Sequence, residues 1–279
     1  MLHIQPMGED ICGEITGVDV KQLDDESFAP IYESWLKYGV IVVRDQQIEI
    51  DDFLDYSRRF GLVVPHPSKS TRHPDYPEIT MLGINKFDDD GNLIEAIYRR
   101  GGVGFHTDGA YDKVPFKATQ LHAVAVPSTG GNTHFSNMYM AHDALPESLK
   151  QILEGRNGAF TYGGRSASQA LLNPEDRDRK PAFHPMIRLH SETGRKSLYF
   201  DPGKILYIEG LEKQQSDDVL DELTERMLAP DAQYSHEWRV GDIVIWDNRL
   251  QSQTRLAARM EGSVQPMNDT PIFIAGFKQ

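Results

Sequence analysis

The chain has 279 residues, 39% of them hydrophobic, which is enough apolar material to bury one large core. Its formal net charge of −13 disfavours nucleic acid or an anionic membrane surface as a partner, because both select basic patches. The single cysteine, Cys12, excludes an internal disulfide and is typical of a reducing compartment. Neither an apolar leader nor a run of ~18 apolar residues is present. We therefore expect a soluble, cytoplasmic protein, and leave a homo-oligomer open.

The first predicted elements are a strand, a helix, a strand and a helix. Phe28, Ile31 and Trp35 recur at the spacing of one helix face, whereas residues 39–44 form a β-branched run typical of a buried strand. In order, we predict a strand over residues 11–20, a helix over 25–38, a strand over 39–44 and a helix over 50–60.

The rest of the chain predicts short strands separated by turns. The turn residues 88–91 separate the apolar stretches 79–82 and 93–94, which predicts a hairpin. Residues 166–188 are polar and contain proline, so we expect a long mobile loop. Further predicted elements are strands at 117–126, 132–137, 197–200 and 271–275, two strands within 234–246, a helix pair over 138–155 and a helix over 214–227. This pattern indicates a mainly β fold, a double-stranded β-helix or jelly roll, with helices packed outside it.

The stretch Gly104-Phe-His-Thr-Asp-Gly109 contains a histidine and an aspartate two residues apart. On an extended segment, side chains with this spacing point to the same side, so His106 and Asp108 can bind one metal ion. A nitrogen donor beside a carboxylate forms part of the 2-His-1-carboxylate triad that holds non-haem Fe(II). Taken alone, the motif also fits a surface pair beside a glycine turn. For His122, His184, His190 and His236 we expect packing or surface roles instead.

Several further stretches give the chain a resemblance to the taurine and 2,4-dichlorophenoxyacetate dioxygenase family, whose members are Fe(II)- and 2-oxoglutarate-dependent oxygenases. The matching stretches lie between about Ile4 and Arg249 and comprise residues 39–46, 59–61, 66–67, 106–108, 126–133, 184–188, 193–195 and 239–249. The resemblance implies a jelly roll, one dioxygenase domain over residues 1–279, and lid segments at about 65–104 and 163–188.

The resemblance also implies roles for single residues. His106 and Asp108 match the first two iron ligands, and Thr133 matches a threonine that hydrogen-bonds 2-oxoglutarate. His66 aligns with a histidine that contacts the anionic head of the substrate in the taurine enzyme. Ordinary strand and loop roles for Thr133 and His66 stay open. The implied cofactors are Fe(II), 2-oxoglutarate as co-substrate, and O₂, and the implied partner is a small, anionic organic substrate.

The family pattern breaks after Arg249. It expects a histidine as the third iron ligand, where this chain has Gln253, and later an arginine for the distal carboxylate of 2-oxoglutarate. The expected window, residues 264–268, has no basic residue, and Arg255 and Arg259 precede it. A glutamine oxygen is a weaker donor than imidazole, so iron would be held less tightly. We expect Gln253 as the third ligand, with Arg255 and Arg259 as candidates for 2-oxoglutarate.

Three explanations of this break remain open. The tail could come from a frameshift or an alternative exon, the site could have been rebuilt around Gln253, or the fold could have exchanged catalysis for binding. The sequence therefore predicts an iron- and 2-oxoglutarate-dependent dioxygenase. The alternative is a catalytically impaired jelly-roll protein that binds a small molecule or a partner. A zinc hydrolase is a weaker third option, because a third ligand and a general base are not evident.

Overall fold

The structure is a computed structural model that describes residues 1–8, 11–65, 72–73, 75–82, 86–87, 93–95, 103–124, 126, 131–165, 178–227, 233–255 and 272–278. The helices are α1 (Asp25–Tyr38), α2 (Ile50–Arg58), α3 (Met138–Asp143), α4 (Glu147–Leu153) and α5 (Lys213–Met227). The strands in the first half are β1 (His3–Met7), β2 (Cys12–Thr16), β3 (Val40–Val43), β4 (Leu62–Val64), β5 (Thr80–Leu82), β6 (Lys86–Phe87), β7 (Leu93–Glu95), β8 (Val103–His106), β9 (Ala118–Ala123) and β10 (Thr133–Asn137). The remaining strands are β11 (Asn157–Phe160), β12 (Ala182–Pro185), β13 (Ile187–Leu189), β14 (Lys196–Leu198), β15 (Ile205–Ile208), β16 (Gln233–His236), β17 (Ile243–Asp247), β18 (Gln251–Arg255) and β19 (Ile272–Lys278).

Two sheets form the centre of the fold. The larger sheet has the order β1-β2-β3-β17-β9-β19-β4, with β5 also paired to β19, and the smaller has the order β16-β10-β18-β8. Within the larger sheet β2 and β3 are parallel, whereas β17 is antiparallel to both of its neighbours. One buried cluster contains residues of both sheets, among them Val244 and Trp246 of β17 and Phe135 of β10. The two sheets therefore pack face to face, and the jelly-roll prediction is confirmed.

The larger sheet is covered on its other face by helices. Val40 and Val42 of β3 belong to the cluster between the sheets, whereas Ile41 and Val43 pack with α1 and α2. This alternation explains why β3 is apolar at every position, since both of its faces are buried. α1 has the predicted bounds because Asp24 accepts a hydrogen bond from Ser27 N at 2.9 Å and Gly39, at φ 76°, ends the helix directly before β3.

A third sheet, of order β12-β11-β15, lies with α3, α4 and α5 around a separate apolar cluster. It corrects the predicted loop over residues 166–188, because residues 182–185 form β12 and pair with β11. Ala182, His184 and Met186 are buried, which a mobile loop would not provide. Residues 166–177 of that prediction lie outside the described residues.

The predicted hairpin between residues 79–82 and 93–94 is also wrong in its pairing. β7 pairs with β6, while β5 pairs with β19 from the far end of the chain. The two predicted strands within residues 234–246 are present as β16 and β17, but they belong to different sheets. In the described part of the chain, we find no helix with the length and apolar character that crossing a bilayer requires.

Candidate metal centre

β8 ends at His106, and Asp108 follows two residues later. His106 Nε2 and Asp108 Oδ1 lie 3.6 Å apart. Two ligands bound to one ion at ~2.1 Å each are about 3 to 4 Å apart, so the two side chains converge as a shared ion requires. Their side chains are 24% and 29% exposed, which leaves them accessible to a small molecule.

The ring of His106 is oriented by its own backbone. Its Nδ1 lies 3.0 Å from the carbonyl oxygen of Gly104, which can only accept a hydrogen bond. In the neutral ring Nδ1 therefore holds the proton, and the lone pair of Nε2 lies on the side of Asp108. Burial acts to lower the pKa of His106, but the hydrogen bond and charge of Asp108, with the charge of Asp201, outweigh it and raise the pKa.

The peptide between the two candidate ligands is also held. Thr107 N donates to Asp201 Oδ2 at 3.0 Å, and Gly203 N donates to Asp201 Oδ1 at 2.9 Å. Asp201 is completely buried, and burial raises the pKa of its carboxyl to about 6 against the opposing effect of these hydrogen bonds. Asp201 thus fixes the backbone on which both His106 and Asp108 are mounted.

Asp108 makes further contacts with β9 and with the segment after β17. Its Oδ2 accepts a hydrogen bond from Thr119 Oγ1 at 2.7 Å, and its backbone N donates to Asn248 Oδ1 at 3.3 Å. Asn248 Nδ2 donates to Thr119 Oγ1 at 2.9 Å, which closes a small network around the carboxylate. Thr119 thus holds Oδ2 of Asp108, while Oδ1 is the oxygen 3.6 Å from His106 Nε2.

Gln253 occupies the position of β18 that is paired with His106 of β8 and with Phe135 of β10. The backbone register therefore places Gln253 directly across from His106 on the neighbouring strand. Within the described residues, no set of three His, Cys, Asp or Glu side chains is arranged to hold a metal.

Thr133, the first residue of β10, is paired with Arg255 of β18. Thr133 is 4% exposed, and its Oγ1 accepts a hydrogen bond from Trp238 Nε1 at 3.0 Å. The hydroxyl proton of Thr133 can then be donated to a ligand. The predicted contacts of His66 and Arg259 lie outside the described residues, so they stay predictions.

The histidines for which we expected packing roles are engaged elsewhere. His190 lies 3.1 Å from Asp247, His236 lies 3.1 Å from Asp242, and His184 lies 2.9 Å from the backbone oxygen of Asp112. His122 is buried and stacks on the ring of Phe53.

Sequence reasoning missed Thr119, Asn248 and Asp201 as neighbours of the candidate ligands. Asn248 lies in the stretch 239–249 that matches the family, so it was visible as part of a motif but without a role. Thr119 and Asp201 have no local pattern, because the fold brings them to His106 and Asp108 from separate strands and turns.

The chain is similar to known proteins in both sequence and fold. The family model described as "Taurine catabolism dioxygenase TauD, TfdA family" matches residues 3–251. The (S)-phenoxypropionate/alpha-ketoglutarate-dioxygenase of Sphingobium herbicidovorans is 31% identical over 88% of this chain and 86% of its own length. The alpha-ketoglutarate-dependent 2,4-dichlorophenoxyacetate dioxygenase of Burkholderia sp. is 30% identical over 76% of this chain and 74% of its own.

A taurine dioxygenase structure from Burkholderia xenovorans superposes with a TM-score of 0.79 over 99% of this chain and 89% of its own, at 24% identity, and supports the fold. The names of the sequence relatives place the chain among dioxygenases that depend on alpha-ketoglutarate, which is 2-oxoglutarate. The matched family model, the two relatives and the shared fold together establish that this chain belongs to the TauD, TfdA family of taurine catabolism dioxygenases.

Proposed function

We propose that this chain is an active non-haem iron dioxygenase that oxidises a C–H bond of a small organic anion with 2-oxoglutarate as co-substrate. The observation that supports it most directly is the 3.6 Å approach of His106 Nε2 to Asp108 Oδ1. The family relationship supports the same reaction class.

The residues present fit an iron site in part. His106 and Asp108 would supply a nitrogen and a carboxylate oxygen, and Gln253 would supply the third donor from its register position opposite His106. When bound, Fe(II) with 2-oxoglutarate and O₂ supplies the oxidative chemistry, which yields succinate, CO₂ and an oxidised substrate. A glutamine oxygen in place of imidazole predicts weaker iron binding than a second histidine would give.

Binding of 2-oxoglutarate is proposed to use Thr133 with Arg255 or Arg259. The pairing of Thr133 with Arg255 across β10 and β18 supports Arg255, because a hydroxyl and a guanidinium on neighbouring positions can share one carboxylate. Thr133 would donate its hydroxyl proton to that carboxylate while Trp238 holds its oxygen. The contribution of Arg259 rests on sequence position alone.

The proposed substrate is a small organic anion. The relatives are named for phenoxypropionate and 2,4-dichlorophenoxyacetate, both of which are carboxylates. Near Asp108, the ring of Tyr111 lies 5.1 Å from the guanidinium of Arg179 and 5.7 Å from Lys204 Nζ. Arg179 is paired with Asp112 and Lys204 donates to the backbone oxygen of Tyr162, so both cations are engaged within the protein. His66 is the proposed contact for the anionic group of the substrate. Cytoplasmic location and homo-oligomer formation stay predictions.

The test is an anaerobic titration of the purified chain with Fe(II) and 2-oxoglutarate, followed by admission of O₂. An active enzyme is expected to give a weak visible charge-transfer band before O₂ and succinate after it. The matched control is the His106→Ala variant, which should give neither. Absence of both band and succinate in the wild type at millimolar Fe(II) would exclude turnover.

A catalytically impaired binding protein is the second candidate. The observation that favours it is glutamine at position 253, where the family pattern expects the third iron-binding histidine. In that case the wild type is expected to bind a metal or 2-oxoglutarate without forming succinate. The same titration separates the two candidates, because the band reports binding and succinate reports turnover.

A further inference from the structure

We infer that Thr119 and Asn248 are positioning residues that fix the Asp108 carboxylate so that it offers a single oxygen, Oδ1, to the metal. This inference rests on the proposed function, since it takes Asp108 as a metal ligand. It concerns Thr119 on β9 and Asn248 directly after β17, both of which contact Asp108.

The orientation of the Asn248 amide is determined by two groups that can only donate. Trp246 Nε1 donates to Asn248 Oδ1 at 3.1 Å, and Asp108 N donates to the same oxygen at 3.3 Å. An indole N–H and a backbone N–H have no acceptor capacity, so the oxygen of the amide must face them. The NH₂ end of Asn248 is therefore directed to Thr119.

The proton of Thr119 then has a defined destination. Asn248 Nδ2 donates to Thr119 Oγ1 at 2.9 Å, and a hydroxyl that accepts this bond has one proton of its own to donate. Asp108 Oδ2 lies 2.7 Å from Thr119 Oγ1 and is the acceptor. The direction of each hydrogen bond is thus set in sequence from Trp246 through Asn248 and Thr119 to Asp108.

The two carboxylate oxygens of Asp108 therefore have different partners. Oδ2 is held by the Thr119 hydroxyl, whereas Oδ1 is the oxygen 3.6 Å from His106 Nε2. A carboxylate restrained in this way binds a metal through one oxygen, and the remaining coordination positions stay available for co-substrate and O₂.

The residues that support Asp108 in this hydrogen-bond network are buried in the fold. Thr119 and Trp246 are directly paired across β9 and β17, and both are almost fully buried. Asn248 is 1% exposed. Buried partners on paired strands cannot adjust freely, so the network holds the carboxylate in place before any metal arrives.

The primary test is the Thr119→Val variant, which keeps the shape of the side chain and removes its hydroxyl. Mn(II) binding is measured by the loss of the free-ion EPR signal, and Fe(II) binding by anaerobic equilibrium dialysis. Loss of an outer-shell partner typically weakens metal affinity about 10–100-fold, which is the expected effect. Thr119→Ser restores the hydroxyl and is expected to bind the metal within about threefold of wild type.

A matched control is Thr80→Val on β5. Thr80 is also a buried strand threonine, and within the described residues its Oγ1 has no hydrogen-bond partner. This variant should bind Mn(II) like the wild type. Thermal unfolding of every variant establishes that it is folded under the conditions of the titration.

The Asn248→Ala variant provides a second, independent measurement should Thr119→Val not fold. It is expected to weaken Mn(II) binding as well, and the Thr119→Val, Asn248→Ala double variant should lose less than the product of the two effects, since both act through one carboxylate. Wild-type affinity in folded Thr119→Val or folded Asn248→Ala would overturn the inference. Failure of the wild type to bind any metal would overturn the proposed function, and this inference with it. Metal binding by the wild type and equally by the variants would overturn this inference alone.

Discussion

Glu192 is a partly buried carboxylate that joins several elements of the fold. Its Oε1 lies 2.7 Å from Arg249 Nη1 and 3.2 Å from Lys117 Nζ, and Tyr32 Oη donates to its Oε2 at 2.6 Å. Arg249 in turn holds Asp247, which is fully buried. Burial alone would raise the pKa of Glu192, but the hydrogen bonds from Tyr32 and Arg249 and the charges of Arg249 and Lys117 lower it to about 2.

This shift predicts a defined pH dependence of stability. A carboxyl with a lowered pKa in the folded state stabilises the protein above its unfolded pKa of ~4.3, and this stabilisation is lost as the pH falls through the folded pKa. The stabilisation from Glu192 is therefore lost between about pH 4.5 and about pH 2. Since Glu192 is 30% exposed, we discount for solvent screening and expect a contribution of about 1–2 kcal/mol.

The measurement is urea unfolding of wild type and Glu192→Gln from pH 7 to pH 2.5. The difference in unfolding free energy between them should be largest at neutral pH and shrink as the pH falls. Glu154→Gln, which removes one partner of the exposed Lys196 pair, is the control and should follow the wild type throughout. A constant difference between wild type and Glu192→Gln at all pH values would contradict the assigned role of the charge.

Gln253 lies opposite His106 in the smaller sheet. Because its backbone is paired with His106, a Gln253→His substitution is expected to place an imidazole beside the candidate ligands and to raise Fe(II) affinity by about tenfold or more. The affinity is measured by anaerobic dialysis, with Ser252→His at the adjacent position of β18 as the control. Unchanged affinity in Gln253→His would mean that the metal is not held at this position.

At the scale of elements, local patterns were reliable where the element depends on its own residues. α1 was predicted with its observed bounds, since Asp24 and Gly39 cap it and its apolar residues follow one face. Strand pairing could not be predicted in the same way. β5 pairs with β19 almost two hundred residues later, and no local feature of residues 80–82 indicates that partner.

The site shows the same division between local and non-local information. The spacing of two residues between His106 and Asp108 predicted side chains that converge, and the structure brings their donor atoms to 3.6 Å. Thr119 and Asn248 meet at Asp108 only because β9 and β17 are neighbours in the larger sheet. A role that depends on such pairing is invisible to spacing along the chain.

β19 is a long strand of the larger sheet near the end of the chain. Its residues pair with β9 on one side and with β4 and β5 on the other, so it is an interior strand of the larger sheet. Ile274 is paired with Leu121 and with Thr80. Proline cannot donate to a ladder and is excluded from interior strands.

We therefore expect Ile274→Pro to lower the unfolding temperature strongly or to abolish cooperative folding. Ile274→Val, which keeps the backbone N–H and a β-branched side chain, is the matched control and should unfold within a few degrees of wild type. The measurement is thermal unfolding followed by circular dichroism. Equal stability of the two variants would mean that β19 is dispensable, which would favour the explanation that the divergent tail is foreign to the fold.

In the whole molecule, the candidate metal centre lies where separate parts of the chain meet. β8 and β18 belong to the smaller sheet, Thr119 to the larger sheet, and Asp201 to the turn before β15 beside the third sheet. Ligand binding at His106 and Asp108 should therefore stabilise the folded chain as a unit. This is also the expectation for the single domain over residues 1–279.

The whole-molecule prediction is a shift of the unfolding temperature on ligand binding. A ligand that binds only the folded state at ~100 times its Kd adds about 2.7 kcal/mol, which for a chain of this size raises the unfolding temperature by roughly 5 °C. Mn(II) with 2-oxoglutarate, measured without O₂ turnover, should give one cooperative transition at the higher temperature, whether followed by tryptophan fluorescence or by circular dichroism. Asp108→Ala should remove the shift, because it removes a donor at the site and leaves the other carboxylates of the chain in place. An equal shift in that variant would locate the metal at other carboxylates, and two separate transitions in the wild type would divide the chain into independent domains.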